Sequence, residues 1–128
     1  MTDAPPADPE SPLVDLGRRK IKTGWINSSG HMRAAQYVVV FEEAIGGFLD
    51  AIGCSAADIA RTRKAPVLTE MHVCYRRELG AGATVAISLQ VLGLGERSVH
   101  VFLRMTEAER RDVAASVELG IVNLGLDD

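Results

Sequence analysis

Hydrophobic residues recur with two different periods along this chain, and the first period marks a long helix. Between Arg33 and Gly53 the apolar side chains follow the i, i+3, i+4, i+7 spacing of one helical face. The spacing predicts a helix of about 30 Å at 1.5 Å per residue, ending at a glycine suited to a helix C-terminus. Val39 and Val40 widen the apolar face, so most of the helix should be buried. The apolar positions are Ala34, Tyr37, Val38, Phe41, Ala44, Ile45, Phe48, Leu49 and Ile52.

The second period is two, and it predicts β-strands on both sides of the helix. An alternating stretch from about Arg18 to Trp25 is expected to form a half-exposed strand. Beyond Pro66 the alternation continues, interrupted by short, turn-rich connectors that are typical of antiparallel neighbours. These strands should therefore form a meander in chain order. Their predicted ranges are Val67 to Leu79, Thr84 to Leu92, Ser98 to Met105 and Val113 to Leu124.

A helix with a wide apolar face and a sheet with one apolar face bury each other, which indicates an α+β fold. A short second helix is expected to begin at a cap formed by Ser55 and Asp58 and to end around Arg63. Gly46 and Gly47 lie inside the long helix, where each costs about 1 kcal/mol relative to alanine. Close approach of another backbone is the expected reason for them.

Length and composition define a single domain with no nucleic-acid partner. The 128 residues are 47% hydrophobic and carry a net charge of −3, whereas nucleic-acid binders usually present a basic face. Residues 1–12 hold four of the five prolines and are expected to form a flexible tail before a domain over residues 13–128. Cys54 and Cys74 match no metal-ligand spacing, so reduced core residues and no metal site are expected.

The sequence also predicts a cytoplasmic protein with no membrane partner. The N-terminus has no basic segment followed by an apolar one, as a signal peptide would have. The longest unbroken apolar run, Tyr37 to Phe41, is far shorter than the roughly 20 residues needed to span a bilayer. An open five-stranded sheet leaves edges that need covering, and a homo-oligomer would cover them.

A polar, turn-prone stretch, "NSSGH" from Asn27 to His31, stands directly before the long helix. We expect these residues to cap the helix and also to line a binding site. Backbone N–H groups at a helix N-terminus lack partners and carry the positive end of the helix dipole, so they can stabilise an oxyanion. His31 suits a general base near neutral pH, although a capping or packing role would give the same pattern.

Two motifs resemble the hotdog-fold acyl-CoA thioesterases, including relatives of 4-hydroxybenzoyl-CoA thioesterase and the carnitinyl-CoA group. The first, "WINSSGHMRAAQYVVVFEEAIGGFLDAIG", is similar to the family loop and helix, and "LTEMHVCYRREL" is similar to a downstream strand. The resemblance implies a five-stranded antiparallel sheet wrapped around one long central helix. It also implies hydrolysis of a small-molecule acyl-CoA by a homo-oligomer, dimer or tetramer, without a cofactor.

The match departs from the family pattern at the residue expected to activate water. The family has an acidic residue where this chain has Asn27, and an amide is neither basic nor ionised at neutral pH. One hypothesis is a thioesterase in which Asn27 orients water or the thioester oxygen while His31 or Glu70 supplies basicity. The alternative is a hotdog dimer that binds acyl-CoA or another acyl ligand without turnover.

The remaining candidate residues are assigned to substrate binding. Trp25 could stack on a cationic acyl group such as a betaine, or simply pack beneath the loop. His72 shares a strand face with Glu70, and both are expected to face the Asn27 loop from a partner subunit or to lie on an exposed sheet face. The predicted substrate-binding residues are Trp25, Ser29, Gly30, Met32 and His72.

Overall fold

The computed structural model describes residues 13–127, which form two α-helices, five β-strands and a short 3-10 turn. The tail predicted over residues 1–12 lies outside the described residues. In chain order the elements are β1 (Val14–Lys20), the 3-10 turn (Thr23–Trp25), α1 (Ala34–Ala51), α2 (Ala56–Thr62), β2 (Lys64–Tyr75), β3 (Thr84–Leu94), β4 (Ser98–Glu107) and β5 (Val113–Gly125).

The first strand ends earlier than its alternation indicates. Strand β1 stops at Lys20, and the chain turns so that Trp25 N–H donates to the carbonyl of Lys22 at 3.0 Å. Trp25 therefore lies on a 3-10 turn rather than on the predicted strand. The alternation of apolar and polar residues in this stretch is short, so it is compatible with a strand that ends early and is followed by a turn.

The five strands form one antiparallel sheet in the order β1-β3-β4-β5-β2. The predicted meander is correct for β3, β4 and β5 but wrong for β2, which does not pair with β3. Strand β2 pairs with β5 at one edge, while β1 pairs with β3 at the other. Strand β2 also ends at Tyr75 rather than Leu79, and residues 76–83 carry the chain from this edge strand to the inner strand β3. Hydrogen bonds secure this crossing segment, since Met32 N–H donates to the Leu79 carbonyl and Gly82 N–H donates to that of Ile21, both within 2.9 Å.

The core lies between α1 and one face of the sheet. On β4 the side chains of Val101, Leu103 and Met105 are fully buried, and they alternate with residues on the opposite face. The helix contributes one continuous buried stripe, which is the apolar face that the sequence predicts. Its buried residues are Tyr37, Val40, Phe41, Ala44, Ile45 and Phe48.

The ends of α1 are built differently from each other. No side chain caps its N-terminus, where Arg33 is the N-cap residue, so the expectation that the polar loop caps this helix is wrong. At the C-terminus Gly53 has a φ of 93°, and Cys54 N–H donates to the Leu49 carbonyl at 2.9 Å, which satisfies one of the last free carbonyls.

The capping prediction for the second helix is confirmed. The Ser55 hydroxyl accepts a hydrogen bond from Asp58 N–H at 3.2 Å, and the Asp58 carboxylate accepts from Ser55 N–H at 3.1 Å. The Ser55 hydroxyl is the main cause that lowers the pKa of the Asp58 carboxyl below its ordinary value.

The two glycines inside α1 have no close neighbour within the described chain. A Cβ placed on Gly46 or Gly47 meets no other described atom within 4 Å, apart from the adjacent residues and the helix's own backbone. The backbone approach predicted for them does not occur between the described residues of this chain.

Among the described residues, neither helix has the length and apolar character that a membrane span requires.

A single core between α1 and the sheet predicts unequal costs for two leucine truncations. Leu103 is fully buried, whereas Leu94 is 80% exposed. Leu103→Ala should lower the free energy of unfolding by about 3 kcal/mol through lost burial and a residual cavity, and Leu94→Ala by less than about 0.5 kcal/mol. Urea denaturation of both variants measures the difference. Equal effects would contradict this position of the core.

Candidate active site

The loop before α1 is a tight hairpin built around Asn27. Ile26 and Met32 form an antiparallel bridge, and Asn27 N–H donates to the His31 carbonyl at 2.9 Å. Gly30 N–H closes the turn by donating to the Asn27 carbonyl at 3.0 Å. Gly30 has a φ of 87°, a conformation that glycine adopts without steric cost.

The Asn27 side chain holds this hairpin from inside. Its Oδ1 accepts from Ser29 N–H at 3.0 Å, from the Ser29 hydroxyl at 2.6 Å and from His31 N–H at 3.2 Å. A carbonyl oxygen has two lone pairs, so three donors saturate it. The amide oxygen of Asn27 is therefore committed to the loop, and its NH₂ group is the part left to face a ligand.

The hairpin is attached to the rest of the fold on two sides. Met32 is buried, and its N–H bond to the Leu79 carbonyl joins the loop to the crossing segment. Arg33 N–H donates to the Trp25 carbonyl at 3.1 Å, which joins the loop to the 3-10 turn. These bonds place the loop at the N-terminus of α1.

Two tyrosines fix the adjoining wall. The hydroxyl of Tyr37 on α1 donates to the Arg77 carbonyl, and that of Tyr75 on β2 donates to the Ala34 carbonyl, each at 3.0 Å. Their rings meet edge to face with centroids 5.2 Å apart. Burial raises the pKa of the Tyr37 phenol above its ordinary value, and the negative charge of Glu78 raises it further.

The loop, the first turn of α1 and the crossing segment enclose a cavity of about 280 Å³, called the loop cavity below. Within it His31 Nε2 lies 3.0 Å from Glu78 Oε2. Both side chains reach solvent, with exposed fractions of 43% for His31 and 71% for Glu78. The cavity is lined by Asn27, Ser29, His31, Met32, Ala34, Tyr37, Tyr75, Arg76, Arg77 and Glu78.

The start of α1, whose first backbone N–H groups are potential hydrogen-bond donors, lies at the cavity. The first N–H groups of a helix have no intrahelical acceptor, and no side chain caps them here. Gln36 N–H donates to the Arg33 carbonyl at 2.9 Å, whereas the N–H groups of Ala34 and Ala35 have no hydrogen-bond acceptor among residues 13–127. Because Ala34 lines the cavity, these amides can bind a developing negative charge there.

Most of the predicted site residues gather at the loop cavity, but Trp25 does not line it. Asn27, Ser29, His31 and Met32 line the cavity, and Gly30 lies in the hairpin between them. Trp25 instead lines a neighbouring concave surface beside the basic end of β1. There the Lys22 ammonium lies 5.4 Å from the centroid of the Trp25 ring.

Glu70 and His72 lie away from the loop cavity in this chain. Met71 and Val73 pack against the core, so the alternating Glu70 and His72 project from the opposite face of β2, where both are exposed. His72 Nε2 lies 3.8 Å from the sulfur of Cys74. Their assignment to the site stays a prediction that requires a partner subunit.

The cavity also contains residues that the sequence analysis did not assign to the site. They are the two tyrosines and the segment Arg76 to Glu78. Tyr37 was predicted only as an apolar position of the helix. The others fall within "YRREL", whose similarity to the family strand did not indicate that these residues meet the loop. Arg77 Nε lies 3.2 Å from Asp112 Oδ2, so its charge is balanced outside the cavity.

Within residues 13–127, no three His, Cys, Asp or Glu side chains form a group suited to a metal ion.

Known proteins provide an independent comparison. A family profile described as the thioesterase-like superfamily matches residues 21–128. The chain belongs to this superfamily. L-carnitine dehydrogenase/betainyl-CoA thioesterase from Ruegeria pomeroyi is 31% identical over 111 residues, which are 86% of this chain and 22% of that protein. Betainyl-CoA thioesterase from Pseudomonas aeruginosa is 27% identical over 77 residues, which are 60% of this chain and 48% of that protein. The chain thus spans less than half the length of these curated relatives.

Solved thioesterase-like structures confirm the hotdog fold. A hypothetical protein from Staphylococcus aureus in complex with CoA aligns with a TM-score of 0.86 at 20% identity, covering 91% of this chain and 73% of that one. A putative thioesterase from Pseudomonas putida aligns with a TM-score of 0.78 at 25% identity, covering 91% and 76% respectively. This chain therefore has the sheet and the central helix that its sequence motifs implied.

The hydrogen bonds of Asn27 predict that an aspartate can replace it structurally while an alanine cannot. A carboxylate oxygen can accept the same three bonds, so Asn27→Asp should keep the free energy of unfolding within about 0.5 kcal/mol of the original. Asn27→Ala leaves these donors without their acceptor and should cost about 1–2 kcal/mol. Chemical denaturation, with backbone amide exchange at Ser29 and His31, measures both. Equal amide protection in both variants would contradict this role of Asn27.

Proposed function

We propose that this protein hydrolyses small-molecule acyl-CoA thioesters in the loop cavity. The observation that supports the proposal most is the presence of His31 and the uncapped start of α1 in one cavity of a thioesterase-like superfamily member. A thioester hydrolase needs a group that activates water and donors aimed at the oxyanion, and these two features provide them.

In the proposed step, the His31 imidazole accepts a proton as a water oxygen attacks the thioester carbonyl carbon. The carbonyl oxygen becomes an oxyanion and is stabilised by the amides of Ala34 and Ala35. When the tetrahedral intermediate collapses, the carbon–sulfur bond breaks and the leaving thiolate takes a proton from the imidazolium. The products are the free acid and CoA. Asn27 holds the loop that presents His31, and its NH₂ group can donate to water or to the thioester oxygen.

Binding without turnover remains a second candidate function, and one observation favours it. The oxygen of Asn27 is saturated by the loop, so this position supplies no basic group to the cavity. If His31 does not activate water, the same cavity and the same amides would still hold an acyl thioester. The two candidates differ in whether free thiol is released.

For the acyl group we propose a small cationic acid of the betaine type. Two curated relatives are named betainyl-CoA thioesterases, and the loop cavity offers the Tyr75 ring to a positive charge. Quaternary ammonium groups bind to aromatic faces by cation–π attraction. Trp25, the first candidate for this role, already has the Lys22 ammonium near its ring, which makes the Tyr75 side the better supported position.

We further propose that two copies associate through β2. This strand forms an edge of the sheet and exposes Val67, Leu68 and Tyr75. Next to it, between α1 and β2, lies a mainly apolar cavity of about 200 Å³ that includes Leu68 and the open side of Gly46. An exposed, largely apolar edge strand is a pairing surface unless something covers it. In such a dimer the partner would supply its own Glu70 and His72, as predicted for the site.

The thioesterase proposal predicts thiol release that depends on His31. With a panel of cationic, aromatic and short aliphatic acyl-CoAs, betainyl-CoA should give the largest kcat/KM. His31→Ala should lower kcat by roughly 100-fold or more, as for loss of a general base. Glu70→Gln in parallel tests the role predicted for that carboxylate. Binding measured by calorimetry without thiol release, and release only after Asn27→Asp, would support the binding function instead.

The proposed dimer predicts that a charge at Leu68 separates the copies while a matched charge at Leu94 does not. Leu68 is 39% exposed on the β2 edge, whereas Leu94 is 80% exposed at the far end of β3. Leu68→Glu should sediment as a monomer with an unchanged circular dichroism spectrum, and Leu94→Glu should keep the original mass. A monomeric original protein, or two variants of equal mass, would rule out association through β2.

A further inference from the structure

The loop cavity contains a carboxylate that belongs to neither the loop nor the helix. Glu78 Oε2 lies 3.0 Å from His31 Nε2. Resting on the proposed thioesterase function, we propose that Glu78 is the positioning residue for His31, fixing its tautomer so that Nδ1 accepts the proton from water. The acidic residue missing at Asn27 is thus replaced by a carboxylate from the crossing segment, which acts on water through the imidazole.

The tautomer follows from hydrogen-bonding chemistry. An ionised carboxylate accepts hydrogen bonds and donates none, so the nitrogen facing it must carry the proton. In the neutral imidazole Nε2 is then the donor to Glu78, and the lone pair is on Nδ1. Within residues 13–127 no group hydrogen-bonds to Nδ1, which leaves it available to a water molecule in the cavity.

The backbone on both sides of Glu78 is firmly held. The Arg77 carbonyl accepts the Tyr37 hydroxyl, and the buried residue Leu79 accepts Met32 N–H. Glu78 therefore extends from a fixed point of the crossing segment. Exposed ion pairs stabilise a fold little, so the arrangement of this pair is better explained by the orientation it gives to His31.

The backbone of His31 is also held by hydrogen bonds. Its N–H donates to Asn27 Oδ1 and its carbonyl accepts Asn27 N–H, so the ring extends from a closed hairpin. The hairpin and the crossing segment are joined directly by the Met32–Leu79 hydrogen bond of 2.8 Å. Two fixed backbones thus set the position of an imidazole and the carboxylate that orients it.

Other polar groups at the cavity are less suited to this role. Arg76 and Arg77 carry positive charge and only donate, so neither can accept the Nε2 proton. The hydroxyls of Tyr37 and Tyr75 are already used as donors to backbone carbonyls. Of the residues that line the cavity, Glu78 is the one with a carboxylate.

Kinetics of single and double variants test whether Glu78 acts through His31. Glu78→Gln should lower kcat by roughly 10- to 100-fold with little change in KM. This loss is smaller than the full rate enhancement of roughly 10²- to 10⁴-fold that a general base supplies, because the imidazole is still present. Glu96→Gln removes the same charge from an exposed turn and should leave kcat unchanged. In a His31→Ala background Glu78→Gln should have no further effect, because the two residues act as a unit. An equal loss in both backgrounds would overturn the proposal.

A spectroscopic test does not depend on activity. Nitrogen-15 chemical shifts of the His31 ring should identify the Nε2–H tautomer in the original protein at high pH, and a mixture of tautomers in Glu78→Gln. The Glu96→Gln control should keep the original shifts. A ring with the same tautomer in all three proteins would refute the positioning role, even if thiol is released. Absence of thiol release with the expected tautomer change would instead count against the proposed hydrolysis.

Discussion

Burial of one face of α1 against the sheet is the constraint on which the rest of the structure depends. Phe41 and its neighbours on the helix stripe meet the apolar face of β3, β4 and β5, and these surfaces leave little freedom for the helix axis. With α1 fixed, its N-terminus has a fixed position beside the end of β2. The hairpin before the helix and the segment after β2 are then brought together, and Met32 and Leu79 join them by a backbone hydrogen bond.

The elements of this fold could be read from hydrophobic spacing, whereas their arrangement could not. The long helix, the capped second helix and the strands beyond Pro66 agree with the sequence pattern to within a few residues. The sheet order does not, because period two fixes which side of a strand is buried and says nothing about its neighbour. A short connector normally joins adjacent strands, but residues 76–83 cross the start of α1 and join the edge strand β2 to β3, from which β4 and β5 separate it in the sheet.

Residues of the loop cavity that are close in sequence could be predicted to lie together, whereas those that meet only through the fold could not. Asn27, Ser29 and His31 fall within one turn-prone stretch, and they do line one cavity. Glu78 lies within the motif "LTEMHVCYRREL", but its contact with His31 depends on the course of residues 76–83, which the predicted pairing of β2 with β3 does not allow. The capping error has a related cause, since the side chain of Asn27 bonds within its own hairpin, and the spacing of polar residues does not reveal which N–H a side chain will choose.

An amide in place of an acidic residue can keep the conformation of a loop while it removes a charge and a basic group. In this hairpin the atom that holds the turn is an oxygen, and an amide provides it as well as a carboxylate does. Replacing the acid with Asn27 therefore removes a charge and a base without disturbing the backbone that presents His31. Because His31 faces Glu78 across the cavity, negative charge is still present beside the imidazole, although it now comes from a different segment of the chain. In the proposed site two tasks, holding the loop and orienting the base, are therefore divided between Asn27 and Glu78, whereas a single acidic side chain could otherwise combine them.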